Sequence, residues 1–388
     1  MKADLCIIGG GAAGMAAAIS GARAGASVVI AERNPRLGKK ILSTGNGRCN
    51  LSHLMPTVDS YHGDGAFIND ILKELGSTGA FTFFKSLGVL LRSDSEGRVY
   101  PYSNSANTVL DALRKEIDRL GVAVSFDCHI SGIRGSDGEF TVIGAENISA
   151  KKVIVATGGK AAPSSGSDGN GYTLMKALGV SVTELKPALT ALKCNVPKAL
   201  KGIRAKASVI LRRKGEALAV SEGEVQFTDF GLSGICVFDV SAFAREGDVI
   251  SVNLLPDYSR EDAEHLLSEL GGEKSANPVE LLCGLMNRRL AETVAANAHG
   301  KDLASLAMSA GELNYTVSGC MPYANAQVTA GGVPASEVGK DLQLKKKRGV
   351  YVVGEMLDVD GICGGYNLHW AWCSGIRAGI SAAKAVVG

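Results

Sequence analysis

The chain has 388 residues, too many for one hydrophobic core to keep growing, so two or three packed units are expected. Hydrophobic residues make up 46% and charged residues 21%, which excludes disordered and collagen-like classes. A formal net charge of +2 gives no one-signed field to draw the chain to nucleic acid or acidic membranes, so small-molecule partners are expected.

The nine cysteines contain no C-x-x-C pair, so neither a metal site nor a dithiol motif is expected. Met1-Lys2-Ala3-Asp4 leads straight into a short apolar run without the pattern of a signal peptide. No stretch approaches the ~18 apolar residues of a membrane span. The expectation is a cytoplasmic protein without membrane attachment, and its oligomeric state is left open.

In chain order, Leu5 to Ile8 reads as a buried strand, Gly9-Gly10-Gly11 as a tight turn, Ala12 to Ala24 as a helix and Ser27 to Ala31 as a second buried strand. Gly9-x-Gly11-x-x-Gly14 thus sits between strand and helix, with Glu32 closing the next strand. That is the context of a dinucleotide fingerprint. Gly9 permits the turn, Gly11 lets backbone approach a pyrophosphate at the helix N-terminus, and Gly14 allows close packing. Glu32 can accept from both ribose hydroxyls and repels a 2′-phosphate, which disfavours NADP at this site. The fingerprint alone leaves FAD and NAD open.

Residues 35 to 61 read as a long, and therefore functional, loop. Helices are expected over 66–76, 78–87 and 105–120, and a buried strand over Lys151 to Ala156, closed by Thr157-Gly158-Gly159. Between 189 and 257 alternating runs such as Ala207 to Leu211 and Glu224 to Phe227 predict an antiparallel β insertion. Residues 259 to 309 show helical periodicity, including Glu261 to Leu270 and Pro278 to Ala295. Gly349 to Glu355 returns as a buried strand, the basic run Lys345 to Arg348 reads as a solvated turn, and His369 to Ala385 as an amphipathic helix behind Cys363-Gly364-Gly365-Tyr366-Asn367. The domains expected are 1–188 with 319–388, 189–257 and 258–318. The strand ends at Ala156-Thr157-Gly158-Gly159 and Gly354-Glu355 favour an extended flavin dinucleotide, FAD, over NAD. The last helix would point its positive end at the flavin edge that gains charge on reduction.

These residues together resemble the HI0933-like family of bacterial flavoproteins, which includes proteins named as aminoacetone oxidases and others assigned as bile-acid reductases. The resemblance runs nearly end to end. It rests on Gly9 to Gly14, on Leu37-Gly38-Lys39-Lys40-Ile41-Leu42-Ser43-Thr44-Gly45-Asn46-Gly47-Arg48-Cys49-Asn50-Leu51, on Val328 to Val333, and on Gly354 to Gly361 followed by Gly364 to Asn367. It implies an α/β protein with a discontinuous Rossmann-type FAD-binding domain, an inserted antiparallel β-barrel-like domain and a small helical domain.

The cofactor contacts expected are Gly9, Gly11, Ala12, Ala13, Gly14, Glu32, Arg33, Lys40, Thr44, Gly45, Gly47, Arg48, Cys49, Asn50, Ile130, Ala156, Thr157, Gly158, Gly354, Glu355, Gly364, Gly365, Tyr366 and Asn367. Arg48 neutralises a phosphate, binds substrate or forms a surface ion pair. Cys49 is a reactive thiol or a small residue packed by the flavin. Asp229 and His369 depart from the family pattern, which has His and Gln there. Together with Arg48 they are the catalytic candidates, with His369 offering an imidazole that titrates near neutral pH.

The activity expected is an FAD-dependent oxidoreductase acting on a small or medium organic substrate between the flavin domain and the insertion. The first form is a reductase fed by transiently bound NADH or NADPH that saturates an activated double bond. An oxygen-using oxidase of a small amine and a non-metabolic flavin-binding assembly or RNA-modification factor stand as alternatives.

Overall fold

A computed structural model describes residues 1–271, 277–300 and 302–388. They form two compact units, Met1–Lys186 with Val328–Gly388, and Pro187–Gln327. Among the described residues no helix is long and apolar enough to cross a membrane.

The first unit is built on a seven-stranded sheet. Its parallel part runs Ala123–Ser125, Val28–Ala31, Lys2–Ile8, Ile148–Val155, with Val350–Val352 on the far side of Ile148–Val155. The central strands carry apolar side chains on both faces because both are covered: Leu5, Ile7, Val29, Ile30, Val153 and Ile154 are all buried. The antiparallel strands Glu139–Ile143 and Gly132–Ser136 extend the edge.

The first helix, Ala12–Arg23, lies against the last, Tyr366–Val387. Small residues set their approach. A Cβ on Gly375 would stand 2.3 Å from the Ala13 carbonyl oxygen and one on Gly379 2.4 Å from that of Ala17. The same offset at both pairs means that the helices run parallel. Tyr366 precedes Gly375 by nine residues and Ala12 precedes Ala13 by one. Their N-termini are therefore stepped along the axis by roughly 12 Å at about 1.5 Å per residue.

The expected helices at 66–76 and 78–87 fall within Gly65–Ser86, which non-helical backbone at Gly76 (φ 47°) divides in two. The lysines of the 345–348 run are pinned: Lys345 donates to the Ser336 carbonyl, Lys346 to Glu337 and Lys347 to the Gly135 carbonyl.

The second unit contains a closed antiparallel barrel in the order Leu192–Cys194, Gly231–Ser233, Glu216–Phe227, Arg204–Arg213, Val249–Asn253, Leu313–Cys320. The last of these strands closes the barrel and lies in the stretch read from the sequence as part of the helical segment. Of the residues expected to be helical over 259–309, 272–276 and 301 lie outside those described. The rest form Arg260–Glu269, Pro278–Leu282, Arg288–Asn297 and Leu303–Gly311. The single helix expected over Pro278 to Ala295 is two, because the chain turns at 283–286 and Asn287 starts a new helix by accepting from the Arg289 N–H.

Candidate flavin site

The loops that follow the parallel strands of the first unit gather the fingerprint residues at one edge of the sheet. Gly9 donates to the Ala31 carbonyl (2.8 Å) and Ala156 to that of Ile8 (2.8 Å), so three strand ends are locked together. Gly9 has φ 102°, and a Cβ there would stand 2.6 Å from the Ala156 oxygen. A Cβ on Gly14 would stand 1.9 Å from the Gly9 oxygen. At Gly11 a Cβ would meet nothing within 4 Å. Gly9 and Gly14 are thus glycines because protein fills the space, whereas Gly11 borders open space at a helix start. No side chain caps that start and no acidic residue lies in its first turn. The N–H groups beginning at Ala12 and Ala13 are therefore available to a diphosphate.

Glu32, 6% exposed, stands beside this turn. Its Oε2 accepts from the Gly10 N–H (2.7 Å), and its Oε1 accepts from the Asn34 N–H (2.8 Å) and Asn34 Nδ2 (2.7 Å). A carboxylate has about four acceptor positions, so one is left, on Oε2. Asn34 Nδ2 also reaches the Ser165 carbonyl (3.1 Å), and Arg33 pairs with Asp168 (2.5 Å), so both clasp the 163–168 segment. Ile130 is buried and its carbonyl accepts from Asn170 Nδ2 (2.9 Å). Thr157 donates to the Met356 sulfur (3.0 Å), and Gly158 has φ 73° with Ser167 against it.

At the other end, Lys40 pairs with Glu355 Oε2 (2.8 Å), whose Oε1 accepts from the Thr329 N–H (2.9 Å). The Thr329 hydroxyl accepts from the N–H groups of Lys160 (2.7 Å) and Ala161 (3.0 Å). Four segments far apart in the chain are joined through three side chains. The loop through Thr44 coils tightly, with positive φ at Gly45, Asn46, Gly47 and Cys49. Thr44 accepts at its carbonyl from the Cys49 N–H (3.0 Å). With its amide turned so that both ends are satisfied, Asn50 accepts from the Gly365 N–H (3.2 Å) and donates to the Ser52 carbonyl (3.0 Å).

Gly365 is the N-cap of the last helix. Asn367 is turned back instead, accepting from the Gly361 N–H (2.9 Å) and donating to the Gly361 carbonyl (2.7 Å). Tyr366 stacks on His53, centroids 4.8 Å apart. Gly354 (φ 65°) is fixed by the same helix, its carbonyl accepting from Trp370 Nε1 (3.2 Å) and its N–H donating to Ser374 (3.0 Å). Sequence reasoning missed Asn34, Thr329, Trp370 and Ser374. Thr329 lies inside a quoted motif and Asn34 two residues past Glu32, but their partners are distant in sequence.

Of the three catalytic candidates, Arg48 and His369 belong to the first unit and Asp229 to the second. Asp229 lies on the barrel unit in an exposed ion pair with Lys201 (2.7 Å). That ammonium holds its carboxyl below the usual range, so Asp229 is ionised and holds no proton to donate at neutral pH. His369 is fully buried, 2.9 Å from Ser52 Oγ through Nδ1 and 3.4 Å from Cys373 Sγ through Nε2. Burial, with His53 nearby, pushes its imidazole down to about 4, which overturns the expectation of titration near neutral pH. Burial pushes the Cys49 thiol up to about 12, so it is a packed, protonated thiol rather than a nucleophile. Arg48 is exposed, lies over the Tyr100 ring (5.0 Å) and donates to the Gly45 carbonyl (3.3 Å). Among the described residues it has no ion-pair partner.

The family model for the HI0933-like protein Rossmann domain matches residues 3–381. The chain is 36% identical to the 3-dehydro-bile acid delta(4,6)-reductase of Clostridium scindens, covering 97% of this chain and 98% of the relative. It is 28% identical to the ribosomal RNA dihydrouridine synthase of Escherichia coli, with 96% of each covered. A 3-ketosteroid delta1-dehydrogenase structure from Sterolibacterium denitrificans shares the fold, with TM-score 0.55, 12% identity, and coverage of 99% of this chain and 100% of that one. The chain belongs to the HI0933-like family, flavin-dependent oxidoreductases built on a Rossmann domain.

Proposed function

We propose that the protein is an FAD-dependent reductase, fed by NADH or NADPH, that saturates a carbon–carbon double bond conjugated to a carbonyl in a small or medium organic substrate. One observation carries this reading: a relative 36% identical over essentially its whole length is named 3-dehydro-bile acid delta(4,6)-reductase.

The site geometry supports FAD as the cofactor. The open cradle at Gly11 and the start of the first helix would hold the pyrophosphate, and the remaining acceptor of Glu32 would take a hydroxyl of the adenosine ribose. The N-terminus of the last helix, at Gly364 and Gly365, would offer a partial positive charge to the flavin. Bound FAD supplies the hydride. The chain's own residues bind and orient; with Asp229 ionised, His369 neutral and the Cys49 thiol held protonated, the proton that must join the second carbon of the double bond would come from solvent. Lys40, Glu355 and Thr329 hold their loops in register, and these loops would line the cofactor. His369 stays neutral and ties the last helix to the Ser52 strand, so that helix and loop meet at the Asn50–Gly365 contact.

A second reading has a specific observation behind it. Two full-length relatives, from Escherichia coli and Haemophilus influenzae, are named ribosomal RNA dihydrouridine synthase, and that reaction also saturates a bond conjugated to a carbonyl. Identity is lower there, 28% and 25%, and a net charge of +2 offers little field for a polyanion.

The test is anaerobic reoxidation of the flavin-reduced protein. A steroid ring enone is expected to restore the oxidised flavin spectrum in one equivalent and to be recovered saturated, while the saturated ketone does nothing. Reoxidation by oxygen alone would favour the oxidase, and reoxidation only by uridine-containing RNA would favour the second reading.

A further inference from the structure

The second unit carries a cavity of about 240 Å3 beside the end of the strand Val249–Asn253. The start of the helix Arg260–Glu269 and the end of the helix Leu303–Gly311 form its other walls. The Leu254 N–H donates to the Ala310 carbonyl (2.9 Å) and the Leu255 N–H to Asn253 Oδ1 (2.8 Å), so strand end and helix end are tied together next to it. Every residue that lines it belongs to Pro187–Gln327.

The lining divides into an apolar floor and a charged rim. Leu255, Ala263 and Ala307 are buried and Met308 is half-buried, while Arg260 and Glu312 are exposed. The two opposite charges share one cavity yet do not pair with each other. Among the described residues Arg260 has no carboxylate within ion-pair distance. Three acids near it in sequence are engaged elsewhere: Asp257 with Lys206 (2.7 Å), Asp262 with Ser259 Oγ (2.7 Å) and Glu269 with His265 (3.5 Å). Glu312 accepts a long hydrogen bond from Asn314 Nδ2 (3.4 Å) and, among the described residues, meets no cation. It caps the end of Leu303–Gly311, whose terminal carbonyls add negative potential on that side.

We propose that this cavity binds a small zwitterion, an α-amino acid with an apolar side chain. Arg260 takes the carboxylate, Glu312 takes the ammonium group, and the floor receives the side chain. The volume is below the roughly 300 to 1,000 Å3 of pockets for drug-sized ligands, so a compact molecule fills it. A simple anion is repelled by Glu312 and a simple cation by Arg260, whereas a zwitterion satisfies both. None of the lining residues takes part in the candidate flavin site, so this site stands whether the flavin serves a reductase or an oxidase.

Calorimetric titration of the FAD-loaded protein tests this without turnover, with L-leucine, leucinamide, N-acetyl-leucine and glycine as probes. Leucine is expected to bind at least about tenfold more tightly than leucinamide, which lacks the carboxylate, and than N-acetyl-leucine, which lacks the ammonium group. Glycine, with no side chain for the floor, is expected to bind more weakly than leucine. R260Q should bring leucine down to the level of leucinamide, and E312Q to that of N-acetyl-leucine. Both positions are exposed, so the variants should fold and keep their flavin. M308W, which fills the cavity, should remove leucine binding with the flavin spectrum unchanged. No binding of leucine at millimolar concentration, equal binding of leucine and its two blocked forms, or a preference intact in both R260Q and E312Q would overturn the site. So would anaerobic bleaching of the flavin by leucine, which would place the amino acid at the flavin instead.

Discussion

Lys40 Nζ lies 2.8 Å from Glu355 Oε2, across 315 residues of sequence, and Glu355 Oε1 holds the Thr329 N–H. The pair is about three-quarters shielded from solvent, so removing one charge leaves the other poorly compensated. K40M and E355Q are each expected to weaken FAD about tenfold, and the double variant less than the product of the two. Fluorescence titration of apoprotein with FAD measures it. Additive losses would mean that the two residues act separately.

The glycines of the fingerprint separate stability from binding. G14A drives a methyl into the Gly9 carbonyl and is expected to cost about 3 kcal/mol or more, as is G375A against Ala13. G11V places its side chain in open space, so its apoprotein should melt at the wild-type temperature and bind no flavin. A G11V protein that stays yellow would contradict the cradle.

The imidazole of His369, pushed down to about 4 by burial, links folding to pH. Its folded pKa lies below the unfolded value of about 6.5, so the unfolded chain binds the proton first. Stability is full above that value and falls, by on the order of 1 kcal/mol per pH unit, as pH drops toward the folded pKa. The lowered carboxylates Asp4, Glu116 and Glu337 act only at lower pH. Denaturant midpoints at pH 7 and pH 5 should therefore differ in the wild type and much less in H369Q. Equal pH slopes in both proteins would show that His369 is not the group responsible.

Asn34 fills Oε1 of Glu32 with two hydrogen bonds. N34A removes the side-chain bond of about 2.7 Å to a buried carboxylate and should weaken FAD by roughly tenfold. E32A should abolish retention altogether. If N34A binds FAD as tightly as wild type, the backbone N–H groups of residues 10 and 34 suffice to orient Glu32.

Much of the first unit was legible because its signals are local. Gly9, Gly11 and Gly14 stand at fixed spacing between an apolar strand and a helix, and Glu32 follows at the next strand end. The last barrel strand, Leu313–Cys320, was not assigned, although Leu313, Tyr315 and Val317 alternate with polar residues. Its partner Leu192–Cys194 lies more than a hundred residues earlier, and pairing across such a span leaves no periodic mark in the intervening sequence. The same holds for Lys40 with Glu355. The environment of His369 was hidden for another reason: a histidine at a helix start looks polar, and its full burial depends on Ser52 and Cys373 closing around it.

The central claim is a reductase fed by a nicotinamide. It is tested most directly by anaerobic titration of the purified FAD-loaded protein with NADH and then NADPH, following the visible flavin band. The account predicts rapid and complete bleaching by one of the two within a few equivalents. A flavin that stays oxidised in the presence of both would contradict it and point to an enzyme reduced by its own substrate.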